Sequence, residues 1–189
     1  DDLLQKASAS FNEGVLAPSV VETVKGYLLD RVPAHYDEQG VSVDVLRSVT
    51  AVGTDSFGDI DSRSLAVTAF AGTEAAEALA SANKRVANIL AKVNEPIGEV
   101  DAALLLEPAE IALSGALGRS RDCLAAAVAD NDFPEALNQL ALLRRDVDSF
   151  FDTVLVNAED KAVRLNRLAL LQELRAQFLK VADLAVLAR

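Results

Sequence analysis

Apolar residues in this chain recur at intervals of three and four, dominated by Ala and Leu, and sustained alternation of apolar and polar positions is scarce. Such spacing buries one face of a helix; a strand, whose side chains change sides at every residue, needs a period of two. An all-α fold is the expectation. Ser19, just after Pro18, is placed to cap a first helix that carries Val20, Val24, Tyr27 and Leu28 on one face through Val32, and Pro33 and Gly40 bracket the connection that follows. Ser42 caps a second helix to roughly Val52, with Val45, Leu46 and Val49 inward. Residues 53–59 read as a loop, and a third helix runs from about Asp61 to Phe70 before Gly72.

Thr73 caps the next helix, expected over Glu74 to Val93. Leu79, Ala82, Val86, Ile89, Leu90 and Val93 form its apolar face, while Ser81, Lys84, Arg85, Asn88 and Lys92 repeat at helical spacing on the other. Asn83 falls on the apolar stripe, where a buried amide needs hydrogen-bond partners. Pro96 and Gly98 mark a loop. Pro108 suits the first turn of a helix reaching about Asp130, with interruptions expected near Gly115 and Gly118. After a turn at Asn131-Asp132, Pro134 opens a helix carrying Leu137, Leu140, Leu143, Val147, Phe150 and Phe151. Asn157 then caps a long last helix, with Glu159 and Asp160 in its first turn, ending near Leu187. The expected organisation is a small helical region over residues 1–72 and a helical bundle over 73–189.

Composition narrows the function classes. Hydrophobic residues make up 51% and charged residues 25%, which suits a folded globular chain of 189 residues and not a disordered one. One Cys and one His supply neither a disulfide framework nor a zinc site. Apolar runs such as 102–106 and 168–171 are too short to cross a bilayer, and no signal sequence opens the chain, so a cytoplasmic protein is expected. The sequence holds no Met, so Asp1 reads as the start of a fragment or processed chain. A net charge of −11 argues against non-specific nucleic-acid binding. Residues 161–189, however, carry six basic and two acidic groups, a balance of +4 that leaves −15 on residues 1–160. An anionic partner is therefore sought at the C-terminal end.

Parts for catalysis are missing: there is no glycine-rich phosphate loop and no nucleophile elbow. His35 reads as a solvated loop residue, the alternative being a general base. Cys123 reads as a buried inert thiol and not as a nucleophile. The pairs Asp146 with Asp148 and Asp59 with Asp61 splay apart if helical, so no metal site is expected.

Four blocks carry a family resemblance: Ala82-Asn83-Lys84-Arg85-Val86-Ala87-Asn88-Ile89-Leu90, Leu106-Glu107-Pro108-Ala109-Glu110, the stretch from Phe150-Phe151-Asp152 to Asn157-Ala158-Glu159-Asp160, and Arg164-x-Asn166-Arg167-Leu168-x-Leu170-Leu171. In this order, followed by Phe178-Leu179-x-Val181-Ala182-Asp183-Leu184, they resemble the C-terminal end of the bacterial glycyl-tRNA synthetase β subunit. The resemblance implies an all-α helical-bundle anticodon-binding domain of the arginyl-tRNA synthetase type. It also implies glycine tRNA, the α subunit and the remainder of β as partners, with neither DNA nor a membrane among them. ATP and Mg would serve the parent glycine-tRNA ligase, with no catalytic residue and no cofactor in this piece.

Sequence-specific RNA recognition combines phosphate contacts from Lys and Arg with hydrogen bonds to unstacked bases. Lys84, Arg85, Asn88 and Lys92 form one candidate stripe, which also fits a solvated outer face. Arg164 and Arg175, three helical turns apart, are further candidates, and Arg144 and Arg145 add possible phosphate contacts. Arg167 lies near the apolar centre of its helix with Leu174, Phe178 and Val181. It reads as a structural ion-pair partner, of Asp146 or Asp148, more than as an RNA contact. Phe11, Tyr27 and Tyr36 could stack on bases or pack. The competing reading of the whole is a helical scaffold that docks the α subunit or the rest of β without touching RNA.

Overall fold

Short polar side chains decide where several helices start. In a computed structural model, which describes residues 2–12, 14–53 and 56–188, Ser42 accepts from the Val45 N–H at 3.3 Å and Thr73 from the Ala76 N–H at 3.2 Å. Asp132 accepts from the Glu135 N–H at 3.1 Å, and Asp160 from the N–H groups of Ala162 and Val163 at 2.7 and 3.1 Å. Each satisfies donors that the first helical turn leaves without partners. The helices are α1 (Asp2–Ala9), α2 (Val20–Glu38), α3 (Val43–Thr50), α4 (Phe57–Ala71), α5 (Glu74–Leu90), α6 (Pro108–Ala129), α7 (Phe133–Ala141), α8 (Arg144–Thr153) and α9 (Lys161–Phe178). Single 3₁₀ turns cover Ala102–Leu104 and Leu184–Leu187, and the described residues contain no strand, so the fold is all-α.

Several boundaries differ from the sequence-based expectation, each for a local reason. Helix α1 is an addition. Ser19 stands before α2 without a side-chain cap bond, and α2 runs through Pro33 instead of ending there. Proline removes one rung of the ladder, but Val32 before it packs on the core and Tyr36 beyond it is buried. The reversal comes at Gly40, whose φ of +79° lets Val41 N–H reach the Tyr36 carbonyl at 2.9 Å and Gly40 N–H the Asp37 carbonyl at 3.0 Å. The Leu28 side chain and residues 54 and 55 of the expected loop lie outside the described residues. Helix α4 begins earlier than expected, at Phe57, and α6 passes through Gly115 and Gly118 without a break.

The helix expected from Pro134 to Phe151 is two helices. Leu137, Leu140 and Leu143 are spaced by threes, and the tighter bond from Leu143 N–H to the Leu140 carbonyl keeps all three buried while Leu142 turns outward. Asp160, not Asn157, caps α9. That helix ends at Phe178, nine residues short of the expectation. Arg63 of α4 explains the stop: its NH1 donates to the carbonyls of Lys180 and Val181, both at 2.7 Å, while its Nε pairs with Asp59 and its guanidinium lies 4.4 Å from the Phe133 ring centre. The chain then turns, Asp183 N–H meets the Ser48 carbonyl at 2.8 Å, and Val181, Ala182 and Leu184 are all buried.

One contiguous core results, with Phe133, Phe150 and Phe178 fully buried among leucines. Helix α6 packs against α7, α8 and α9, and α4 against α3 and α7. Helix α5 packs against α9 and the Leu184–Leu187 turn, and α2 bridges α1 to α3. This arrangement sets the polar face of α5 beside the start of α9.

Candidate nucleic-acid interface

The stripe on α5 opens onto a groove of about 920 Å³. Ser81, Lys84, Arg85 and Asn88 of α5, which ends at Leu90 and not at the expected Val93, supply one side together with Lys92 in the turn that follows. Asn94 and Glu95 follow in the connection after α5, Asn157 precedes α9 and Arg164 lies in its first turn, and Ile89, Val93 and Leu168 complete the lining. The Arg85 guanidinium lies 4.2 Å from the ring centre of Phe151, which backs its plane. Lys84 Nζ donates to the Ala188 carbonyl at 2.9 Å. Among the described residues, the amides of Asn88, Asn94 and Asn157 have no side-chain hydrogen bond.

Glu95 is the groove's one carboxylate. It pairs with Lys161 at 2.8 Å and stands 3.8 Å from Arg164, whose NH1 also donates to the Ala158 carbonyl at 3.2 Å. The Lys161 hydrogen bond, helped by the charges of Lys161 and Arg164 and opposed by desolvation, holds the Glu95 carboxyl below its ordinary value. Chemically the groove offers cations for phosphate, amides with both donors and acceptors for base edges, and a flat guanidinium for stacking.

Other candidates lie outside this groove. Arg144 pairs with Glu74 at 2.7 Å and Asp148 at 3.7 Å. The Arg144 hydrogen bond first, and its charge second, lower the Glu74 carboxyl, and the same contact raises Arg144. Arg145 is exposed. Arg175 belongs to an internal network: it donates to Asn83 Oδ1 at 3.0 Å and to Asp183 Oδ2 at 2.9 Å, and Asn83 donates to Asp183 at 3.4 Å. Asn83 thus finds the partners its burial requires.

Arg167 forms its ion pair with Glu110, not with Asp146 or Asp148, and donates to the Leu155 carbonyl at 2.7 Å. Glu110 is fully buried, and its second oxygen accepts from the N–H groups of Leu106 and Glu107, each at 2.7 Å. The sequence held a signal for this: Glu110 stands at the third position of a helix opened by Pro108, where a carboxylate folds back on the preceding backbone.

Cys123 is exposed, contrary to the expected buried thiol, because its position on α6 faces away from the neighbouring helices. His35 lies within α2 instead of a loop, against Gln39 at 3.1 Å. Tyr36 is buried, while Phe11 and Tyr27 are exposed, and none of the three lines the groove. Among the described residues no three or more His, Cys, Asp or Glu gather as metal ligands, and no helix is long and apolar enough to cross a membrane. Glu95, Asn94 and Lys161 escaped sequence reasoning. Their signal was faint: a polar pair in the connection after α5, just before Pro96.

The sequence matches the family described as DALR anticodon binding domain over residues 79–184. It is similar to the glycine–tRNA ligase beta subunit of Haemophilus influenzae (strain PittEE), 45% identical over 187 residues that take in 99% of this chain and 27% of that protein. The protein of the same description from Actinobacillus pleuropneumoniae serotype 7 (strain AP76) is 44% identical over 99% of this chain and 27% of its own length. That from Vibrio cholerae serotype O1 (strain ATCC 39541) is 43% identical over 100% of this chain and 28% of its own. The chain therefore spans little more than a quarter of the length of the curated relatives it matches.

Proposed function

Because this chain belongs to the family of DALR anticodon binding domains, we propose that it is a non-catalytic RNA-binding part of a glycine–tRNA ligase β subunit, and that it takes the anticodon loop of glycine tRNA into the groove between α5 and the start of α9. The observation that carries this reading is the groove's lining: Lys84, Arg85, Lys92 and Arg164 surround three amides that bond to nothing within the chain. All three amides are exposed, so their donors and acceptors are open to a ligand, and open amides beside cations are what base-edge contacts need. Residues 73–189 carry the role, with residues 1–72 flanking them. Arg144, Arg145 and Arg175 move to secondary or internal roles, since they do not line the groove.

The parent enzyme would act in the cytoplasm and use ATP and Mg²⁺ to activate glycine, with that chemistry outside this chain. Its α subunit and the remainder of β would be the protein partners. A scaffold role keeps one specific support: Leu106, Ile111 and Leu155 are exposed near the Glu110–Arg167 pair, an apolar set suited to a protein neighbour.

Binding of glycine tRNA across a salt series, beside the same tRNA with an altered anticodon, tests the proposal. Anticodon-dependent binding that weakens as salt rises supports it. Equal binding of both RNAs at all salt concentrations defeats it and leaves the scaffold reading, which a pull-down with the α subunit then checks.

A further inference from the structure

A carboxylate in a groove meant for RNA needs an explanation, because at close range it repels the phosphates that the neighbouring cations attract. Glu95 is held by two cations from the first turn of α9, Lys161 on one oxygen at 2.8 Å and Arg164 on the other at 3.8 Å. Residues three apart on a helix share a face, so this Lys and Arg present their donors side by side. Two oxygens of one anion are thereby matched to two adjacent cations, the arrangement that two non-bridging oxygens of a phosphate also satisfy.

All three groups are partly exposed, at 67% for Lys161, 30% for Arg164 and 35% for Glu95, so the pair can open without leaving a dry charge behind. Glu95 also lies outside the helices, on the segment between α5 and the 3₁₀ turn at Ala102–Leu104, where the chain can shift without breaking a ladder.

We propose that Lys161 and Arg164 form a phosphate position at the end of the groove, and that Glu95 occupies it in the free chain and yields both cations to a backbone phosphate of the bound loop. The inference rests on the reading of the groove as an RNA surface. It makes Glu95 a positioning residue with a cost: an RNA that places a phosphate there displaces the carboxylate, whereas one that does not meets it as a negative charge. The ionised form needed for this exchange is the one its neighbours favour.

The test uses the 189-residue chain and an RNA hairpin carrying the anticodon stem and loop of glycine tRNA, with binding followed across a salt series. Glu95→Gln frees the two cations, and binding should tighten about two- to fivefold at low salt, as expected for release of one exposed ion pair. The slope of log affinity against log salt should steepen by about one, since no carboxylate recruits a cation on binding. Glu95→Asp keeps the charge and should stay near the parent. Glu173→Gln, which breaks the pair with Arg121 away from the groove, makes the same change in net charge and should also leave binding near the parent. Lys161→Ala should weaken binding and flatten the slope. Unchanged or weaker binding by Glu95→Gln, or equal tightening by Glu173→Gln, overturns the proposal. If Arg85→Ala and Lys92→Ala weaken binding while Glu95→Gln does not tighten it, only the phosphate exchange falls; if neither of those variants weakens it, the groove reading falls as well.

Discussion

Arg164 and Arg167 sit less than one turn apart on α9, and each faces a glutamate, yet their surroundings assign them opposite work. Arg167 and Glu110 are shut away, at 8% and 0% side-chain exposure, with Arg167 NH1 and the second Glu110 oxygen bonded to backbone. Arg164 and Glu95 are wet and share their contact with Lys161. A buried pair has no solvent to replace a lost partner, so it fixes the fold; an exposed pair can exchange partners, so it can serve a ligand. Charge and residue type are the same in both cases. Water access makes the difference.

The comparison breaks most visibly at the buried end. Glu110→Ala should cost about 3–5 kcal/mol by stranding the Arg167 guanidinium and two backbone donors, read as a lower denaturant midpoint. Replacing Glu110 and Arg167 together by apolar residues of similar volume should recover much of that loss. Next comes the second internal network. Asn83→Ala leaves Arg175 and Asp183 each one partner short and should cost about 1–3 kcal/mol, again with RNA affinity altered only through unfolding. At the open end, Lys92→Ala should change stability by no more than about 0.5 kcal/mol while weakening RNA binding and flattening the salt slope by about one. Thermal melts and binding isotherms on the same samples separate the two kinds of arginine and lysine; a groove variant that unfolds the chain would erase the distinction.

The smallest effect concerns pH. The carboxyls of Glu95 and Glu74 lie below their ordinary value of 4.5 because each bonds to a cation. A depressed folded value contributes stability that is complete above 4.5 and disappears as pH falls through the lowered value. Urea midpoints of the parent and of Glu95→Gln should therefore differ slightly near neutrality and converge in acid. A gap that persists well below pH 4.5 would mean that Glu95 acts by packing, not by charge.

The half of the groove on α5 was legible in the sequence because Ser81, Lys84, Arg85, Asn88 and Lys92 obey a single helical period, and the period needs no knowledge of neighbours. The other half was not. Asn157 looks like a helix cap by residue type, but Asp160 takes both backbone donors and leaves Asn157 to the groove. Glu95 has no periodicity to betray it. Helix lengths failed where a distant side chain settles the end: nothing local in residues 179–187 announces that Arg63 will claim two carbonyls there. Likewise the split between α7 and α8 follows from which leucines must be buried, a tertiary demand, while Pro33 shows that a helix breaker can be overruled by a buried Tyr36. Caps at Ser42 and Thr73, by contrast, were readable because their bonds close within three residues.

The tie between Asn83 and Asp183 joins positions 100 residues apart. During synthesis at roughly 5–20 residues per second, α5 would leave the ribosome on the order of 5–20 s before the segment that clasps it. Through that interval the helix presents Asn83 and its apolar neighbours without the α9 and Leu184–Leu187 partners that later cover them. The groove in turn needs α9, because Arg164 and Leu168 line its far side. On the proposed reading, a nascent chain would engage RNA only once α9 had joined α5, which would make the order of translation a timer on when that surface forms.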